Sequence, residues 1–187
     1  MSYPRHLKTA RLTLRQWCAE DADDVAAIWA DPAVWQSLRG GESSDPATAA
    51  AAAHQKQVDH WQEHGFGLWL ATLRDAPYEA PIGWVGAWYP DFVPTVLGEV
   101  EVGWTLRSSY WARGLAVEGA RMAVFTAFSK LAVDRVISLI APGNDRSTAV
   151  ARRLGMCQHG KAETTDGLAL QVFAVTRHSF LASGAGD

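Results

Sequence analysis

The stretch from Glu101 to Lys130 constrains the fold more than any other part of the sequence. It begins with Glu-Val-Gly-Trp-Thr-Leu, which is typical of a strand, and passes through a turn of small residues around Gly114. From Val117 onward, apolar residues recur at helical spacing. Backbone amides at the start of a helix attract anions, and glycine lets a ligand approach the backbone. The stretch therefore predicts either a phosphate-binding turn or an ordinary tight strand-to-helix connection, and the local pattern leaves both open.

The composition is that of a soluble globular domain. The chain has 187 residues, of which 48% are hydrophobic and 20% charged, enough for one sizeable core. We expect a single domain over residues 1–187, with a core at about 7–178 and a frayed C-terminal tail. A net charge of −3 without a long basic run argues against a nucleic-acid partner. No apolar stretch reaches the roughly 18 residues of a membrane span, so no membrane association is expected.

The cysteines and histidines predict neither disulfides nor a metal site. Cys18 and Cys157 are the only cysteines, too few for a disulfide framework or a zinc site. This favours a reducing, cytoplasmic setting. His54, His60 and His64 fall in one predicted helix. His60 and His64 are four residues apart and could share a face, which we expect to be solvated and not a metal site.

Hydrophobic periodicity predicts one α+β domain with the element order βααβββαβαββ. The predicted strands cover 10–17, 66–73, 81–89, 98–106, 135–140, 156–161 and 168–177. The predicted helices cover about 20–30, 47–64, 117–130 and 145–154, with a turn or second helix after Asp31-Pro32. This order predicts a mostly antiparallel sheet with helices on both faces.

Four stretches in this order carry a family resemblance that covers nearly the whole chain. They are Thr9 to Arg15, Asp31 to Val34, Glu101 to Ala116, and Asn144 to Met156. With them the chain resembles the GNAT superfamily of acyl-CoA N-acyltransferases, and within it the RimJ/RimL-like branch of ribosomal-protein N-terminal acetyltransferases. The resemblance implies the GNAT fold, a mixed and mostly antiparallel central sheet of about seven strands. It also implies acetyl-CoA as the co-substrate and no metal.

The resemblance further implies which residues hold acetyl-CoA. The backbone amides from Arg113 to Ala116 would bind the pyrophosphate, and Thr105 and Leu106 would pair with the pantetheine arm as an added strand. Asn144 and Ser147 would line the other side, although Asn144 is also a good helix cap and Ser147 an ordinary first-turn residue. The full predicted cofactor set is Trp104, Thr105, Leu106, Trp111, Ala112, Arg113, Gly114, Leu115, Ala116, Asn144 and Ser147. Among these, Ala112 stands where relatives often have glycine.

The implied reaction is attack of a neutral amine on the acetyl thioester, which calls for a base. An α-amine with a pKa near ~8 is roughly 10% neutral at pH 7, whereas a lysine side chain is far less so. Glu99 and Glu101 are two apart on the predicted strand, so we expect them to share a face and raise each other's pKa. We predict Glu101 as the base and Glu99 as a helper or amine anchor. The alternative is that one or both are solvated strand residues.

The leaving thiolate has no obvious acid. Relatives often carry a tyrosine in the helix at 145–154, and this helix has none. Ser147 is the residue that the branch offers instead, and a thiol with a pKa near ~8.5 needs little help. Backbone amides near Thr105 and Leu106 are predicted to stabilise the oxyanion of the thioester.

The acceptor amine is left open by the sequence. We expect a protein N-terminus or a small amine, with an antibiotic- or toxin-modifying acetyltransferase and a non-catalytic acyl-CoA-binding sensor as alternatives. The loops at 39–44 and 89–96 are predicted to select the acceptor. Trp35 and Trp88 lie beside them and would either wall the acceptor pocket or pack into the core. A homodimer is compatible with the sequence.

Overall fold

The computed structural model describes residues 2–39, 45–76 and 79–184. The predicted acceptor loop at 39–44 therefore lies almost wholly outside the described residues, as does the end of the C-terminal tail. The strands are β1 His6–Lys8, β2 Leu12–Gln16, β3 Leu68–Leu73, β4 Gly83–Trp88, β5 Glu101–Leu106, β6 Arg135–Ile140, β7 Cys157–Glu163 and β8 Ala169–Thr176. The helices are α1 Ala22–Trp29, α2 Pro32–Arg39, α3 Pro46–His64, α4 Leu115–Lys130, α5 Asp145–Arg153 and α6 Arg177–Ala182.

The described strands form one sheet in the order β1-β2-β3-β4-β5-β6-β8-β7. Neighbouring strands are antiparallel except β5 and β6, which are parallel. The prediction of a mixed, mostly antiparallel sheet is confirmed, with eight strands instead of about seven. The additional strand is β1, which pairs with β2 from His6 opposite Arg15 to Lys8 opposite Thr13.

Helices cover both faces of the sheet, as predicted. The alternation along β2 sends Leu12 and Leu14 to the face covered by α4, where a large core includes Val85 and Val124. The opposite face carries a second core, formed by α1 to α3 over β3 and β4. We call this opposite face the tryptophan face. Its buried residues are Trp17, Val25, Ile28, Trp29, Val34, Ala50, Leu68, Leu70 and Trp84.

Local chemistry explains where the longer helices begin and end. The Asp45 carboxylate accepts a hydrogen bond from the Thr48 amide at 2.9 Å and caps α3, and Pro46 follows in the first turn. Gly65 ends the same helix in the left-handed conformation, with a φ of 70°. Asn144 caps α5 through the Ser147 amide at 3.0 Å. Each of these boundaries was readable in the sequence.

The expectation of a solvated helix face at His60 and His64 is wrong for His60, which is buried, as is His54. His60 Nδ1 donates to the Phe66 carbonyl at 2.8 Å, and its Nε2 accepts from the Tyr89 amide at 3.0 Å. Burial lowers the pKa of His60 to about 4, so the ring is neutral near pH 7. This histidine therefore joins the end of α3 to the end of β4.

Candidate active site

Strands β5 and β6 separate soon after they meet. Their ladder has one paired position within the described chain, Glu101 opposite Ile137, where the Ile137 amide donates to the Val100 carbonyl at 2.9 Å. One residue further on, Ser138 bridges the gap with its side chain and donates to the Val102 carbonyl at 2.6 Å. Beyond it the two strands diverge, so the edge of β5 that faces β6 has backbone groups available to a ligand.

A cavity of about 810 Å³ occupies this gap and extends onto the tryptophan face. One side is lined by β5 and the start of α4, and the other by the end of β6 and the first turns of α5. Nearly all the predicted cofactor residues line it: Trp104, Thr105, Leu106, Trp111, Ala112, Gly114, Leu115, Ala116, Asn144 and Ser147. Arg113 is missing from this lining, because its guanidinium lies over the Tyr110 ring, 5.2 Å from the centroid. The structure thus brings together two motifs that are about thirty residues apart in the sequence.

Glu101 lies where the two strands part. The Leu139 amide, which has no strand partner on β5, donates to Glu101 Oε1 at 3.2 Å. The side chain is buried, and Oε2 has no hydrogen-bond partner among the described residues. Burial raises the pKa of Glu101 to about 7, while the Leu139 amide, the nearby Trp88 indole and the Lys56 charge act in the opposite direction. The site therefore contains a carboxyl that changes protonation near neutral pH.

Trp88 on β4 lies directly opposite Glu101 on the neighbouring strand β5. Its ring stacks on Phe92 at a centroid distance of 5.7 Å, and Lys56 Nζ lies 5.2 Å from its centroid. Lys56 comes from α3 and forms an ion pair with Asp91. The aromatic pair and the lysine line the cavity beside the buried carboxyl. This arrangement holds a cation close to Glu101 without placing it in direct contact.

The turn before α4 adopts a conformation that exposes backbone amides. Ala112 has a φ of 58° and Gly114 a φ of 77°, both in the left-handed region. The first main-chain hydrogen bond of α4 runs from the Glu118 amide to the Gly114 carbonyl at 3.1 Å. The amides of Leu115, Ala116 and Val117 lie before this first bond and so take no part in the hydrogen-bond ladder of the helix. All three residues line the cavity. Ala112 adopts the glycine-like conformation although its side chain makes that conformation unfavourable.

The N-terminal motif supports this turn from behind. Arg11 Nη1 donates to the Arg113 carbonyl at 2.9 Å, and Arg11 Nε donates to Glu118 Oε2 at 2.6 Å. Glu118 also accepts hydrogen bonds from the Thr9 hydroxyl at 2.5 Å and the Arg11 amide at 2.7 Å. These contacts fix the carbonyl before Gly114 on the side away from the cavity. They explain why the motifs at residues 9–15 and 101–116 occur together.

The Asp-Pro motif supports the loop between β5 and the turn. Asp31 Oδ2 accepts from the Ser108 amide at 2.8 Å, while Oδ1 accepts from the Ala33 amide at 3.0 Å. One carboxylate therefore caps the start of α2 and ties that helix to the segment after β5.

Both ends of the Asn144 side-chain amide make hydrogen bonds within the protein. Its Oδ1 caps α5, and its Nδ2 donates to the Ser37 carbonyl of α2 at 3.4 Å. Arg146 follows two residues later and lies over the Trp111 ring, 4.5 Å from the centroid. Trp111 in turn donates its indole N–H to the Leu106 carbonyl at 2.7 Å. The turn, β5 and α5 are thus connected across the cavity mouth.

Two expectations for Glu99 are wrong: that it lies on the same strand as Glu101, and that it raises the pKa of Glu101. Glu99 precedes β5, because Gly98 has a φ of 82° and the Glu99 amide donates to the Val96 carbonyl in a turn. Its carboxylate forms an ion pair with Arg135 and borders a separate, smaller cavity. The raised pKa of Glu101 therefore comes from burial and not from Glu99.

The sequence indicated some residues on the acceptor side of the site and missed others. Trp88 and Phe92, at the predicted acceptor loop 89–96, line the cavity, whereas Trp35 packs against Trp29 instead. Lys56, on the distant helix α3, reaches the site only because α3 covers the tryptophan face. The lining residues that the sequence analysis did not place in the site include Trp17, Trp29, Lys56, Trp84, Tyr110, Ser138 and Arg146.

Two absences complete the description. Across residues 2–39, 45–76 and 79–184, no group of three or more His, Cys, Asp or Glu side chains is placed to hold a metal ion. None of the helices in these segments combines the length and hydrophobicity that a membrane crossing requires.

Comparison with known proteins gives a consistent family assignment. Residues 11–157 match the family described as "Acetyltransferase (GNAT) domain". The uncharacterized N-acetyltransferase p20 of Bacillus licheniformis is 25% identical over 154 residues, which cover 82% of this chain and 83% of that protein. An acetyltransferase structure from Agrobacterium tumefaciens is 28% identical, with a TM-score of 0.77 over 95% of this chain and 96% of that one. The ribosomal-protein-S5-alanine acetyltransferase of Vibrio fischeri shares the fold, with a TM-score of 0.70 at 16% identity over 94% of this chain and 98% of that one.

Proposed function

Because the chain belongs to the acetyltransferase (GNAT) family, we propose that it transfers the acetyl group of acetyl-CoA to a primary amine, with Glu101 as the base. The observation that carries the proposal is the position of this buried carboxyl, with a pKa of about 7, at the point where β5 and β6 part. The acceptor is either a protein N-terminal α-amine or a small-molecule amine, as the resemblance to the RimJ/RimL-like branch suggests.

The cavity has the features that acetyl-CoA requires. The start of α4 offers the amides of Leu115, Ala116 and Val117 to a pyrophosphate, and the helix dipole favours the negative charge. The edge of β5 that faces the gap offers backbone groups to the amide-containing pantetheine arm, although the Leu106 carbonyl already accepts from the Trp111 indole and the Thr105 carbonyl lies against Gly83 of β4. Arg146, fixed against Trp111, adds a positive charge on the opposite side. The thioester would then lie in the gap near Glu101.

The proposed reaction is direct. The amine nitrogen attacks the thioester carbonyl carbon, and the proton it loses passes to Glu101, directly or through one water molecule. The carbon–sulfur bond then breaks as the amide forms. The thiolate of CoA accepts a proton to give the free thiol, for which Ser147 or water is the proposed donor. Atoms and charge balance without any metal or redox partner.

The pKa of Glu101 suits this role. A carboxyl with an ordinary pKa is too weak a base for an ammonium group, whereas one near pH 7 is about half ionised and binds the proton far more firmly. Burial also excludes bulk water from the carboxyl, which favours proton transfer from a bound amine.

Thiol release from acetyl-CoA with a panel of primary amines and short peptides tests the proposal. For an accepted amine, kcat/KM should rise with pH through an ionisation near 7. Glu101→Gln keeps the side-chain shape and the Leu139 contact but should lower kcat about 10²- to 10⁴-fold and abolish that ionisation. Glu63→Gln, the same exchange at an exposed position of α3, should leave both unchanged. Firm acetyl-CoA binding without turnover of any amine would instead indicate the non-catalytic sensor.

A further inference from the structure

The tryptophan face has a hollow in its floor beside Glu101. Gly86 of β4 and Gly103 of β5 are directly opposite each other, and opposite residues on paired strands point to the same face. Gly86 is closed over by the neighbouring chain, because a Cβ atom there would meet the backbone of Gly67, Leu68 and Trp69. The hollow therefore lies above Gly103. A Cβ atom built on Gly103 would approach only Trp88 Nε1, at 4.0 Å. Gly103 therefore faces open space that belongs to the cavity.

Two indole rings flank this hollow. Trp84 and Trp88 lie two residues before and after Gly86 on β4, so both project from the same face, with their Cα atoms about 13 Å apart. Trp84 is fixed by contacts with Trp17 at 5.7 Å and Trp29 at 6.1 Å between ring centroids. The second ring is fixed by its stacking on Phe92. The result is a preformed slot walled by two indole rings, with the Nε1 edge of Trp88 toward Gly103, which we call the indole slot.

The carboxyl and the indole slot are joined. Glu101 pairs across the strands with Trp88, and Thr105 pairs with Trp84. An amine nitrogen at Glu101 would therefore have its carbon skeleton directed over Gly103, between the two indole rings. A flat apolar group fits these walls because aromatic rings stack favourably on one another.

The charge of the cavity disfavours a hydrophilic polycation. Among its described lining residues, the carboxylates are Glu101 and Asp166, whereas the cations are Lys56, Arg146 and Arg153. A polyamine or aminoglycoside has several ammonium groups, each of which loses hydration on binding and needs a compensating acceptor. Apolar side chains of α3, such as Ala49 and Ala53, complete the wall instead.

We propose that the acceptor is a primary amine whose carbon chain carries a flat apolar or aromatic group, which binds in the indole slot while its nitrogen meets Glu101. The inference rests on the proposed amine acetylation and specifies its substrate class. Two sources share this chemistry: small arylalkylamines, and polypeptides whose first residue is aromatic.

Gly103→Ala tests the slot directly. The added methyl group enters open space, so the fold should tolerate it, but it occupies the floor on which the aromatic group would lie. We expect it to lower kcat/KM for phenethylamine at least about tenfold, with little change for propylamine. Gly160→Ala is the matched control, because a Cβ there meets nothing within 4 Å and Gly160 lies on β7, outside the cavity lining. An equal loss for both amines would overturn the inference.

The wild-type protein provides a test that does not depend on any variant folding. With acetyl-CoA, phenethylamine should exceed spermidine and kanamycin in kcat/KM by at least about tenfold. Peptides that begin with Phe or with Ser, otherwise identical, separate the two sources: a preference for the Phe peptide over phenethylamine indicates a polypeptide substrate. Preference for either polycation would overturn the inference while leaving acetylation intact.

A binding measurement distinguishes a wrong assignment of the acceptor class from a wrong assignment of the reaction. In the presence of CoA, phenethylamine should quench the tryptophan fluorescence of the wild-type protein, and Gly103→Ala should weaken that binding. If no amine is acetylated but this binding is seen, the proposed function fails and the slot stands. If phenethylamine does not bind at millimolar concentration, the slot assignment is refuted.

Discussion

Replacing Glu101 by glutamine should stabilise the protein, and by an amount that depends on pH. The carboxyl has a pKa of about 7 in the folded protein, against 4.5 when it is exposed to water. The folded state therefore holds this proton more tightly than the unfolded state does. Glu101 does not affect stability below pH 4.5. Its presence lowers stability progressively from pH 4.5 to about 7, because the unfolded chain releases the proton there while the folded protein still holds it, and above 7 the loss is complete.

The magnitude follows from the two pKa values. At 1.36 kcal/mol per pKa unit, ionised Glu101 costs the folded state about 3 kcal/mol above neutral pH. Glutamine has nearly the same volume, keeps an acceptor for the Leu139 amide and never ionises. Relative to the wild type, Glu101→Gln should therefore be more stable by about 1 kcal/mol at pH 5, about 2 kcal/mol at pH 6 and about 3 kcal/mol at pH 8.

Urea denaturation of both proteins at these pH values measures the difference. Glu63→Gln provides the control, since the removal of an exposed carboxylate should change stability only slightly. A stability gain for Glu101→Gln that is the same at pH 5 and pH 8 would refute the reasoning. So would a loss that grows with pH, because it would mean that the carboxylate is stabilised in the folded state.

Three further predictions concern the turn and the surroundings of the carboxyl. Gly114→Ala should raise the KM for acetyl-CoA at least about tenfold. Gly65→Ala is the control, because Gly65 has nearly the same backbone angles but lies at the end of α3; it should cost about 1 kcal/mol of stability without changing KM. Arg11→Gln should raise the KM for acetyl-CoA more than it lowers kcat, because it frees the loop carbonyl, and Arg11→Lys should restore part of the binding. Lys56→Met should move the ionisation of Glu101 in the kcat/KM profile to higher pH, since the lysine charge lowers that pKa.

Elements with their own local signals were predictable from the sequence. The alternation of β2, the proline and cap of α3, and the turn before α4 are each encoded in fewer than ten consecutive residues. The β1 strand carries no such signal, because its three residues are mostly exposed and owe their conformation to pairing with β2. Helix α6 was missed for a similar reason: its cap, Thr176, lay within the predicted last strand.

The acceptor side of the site could not be predicted, because it depends on register and on distant chain segments. The pairing of β4 with β5, which are joined by a loop of twelve residues, places Trp88 opposite Glu101 and Gly86 opposite Gly103. A register different by one residue would send the carboxyl to the other face of the sheet. Lys56 approaches the site only through the packing of α3 on that face.

The structural difference between Glu99 and Glu101 explains why Glu101 is the group that changes protonation near neutral pH. A strand starting at Gly98 would have placed both carboxylates on one face, but the turn at Gly98 removes Glu99 and gives it Arg135 as a partner. Glu101 has no cation in direct contact among the described residues and instead fills the point of divergence of β5 and β6, where the Leu139 amide needs an acceptor. The same divergence that opens the cavity proposed for acetyl-CoA therefore requires a buried acceptor at this position. A carboxyl satisfies that requirement at a cost of about 3 kcal/mol above neutral pH, and the destabilised carboxylate is the stronger base for the proposed reaction.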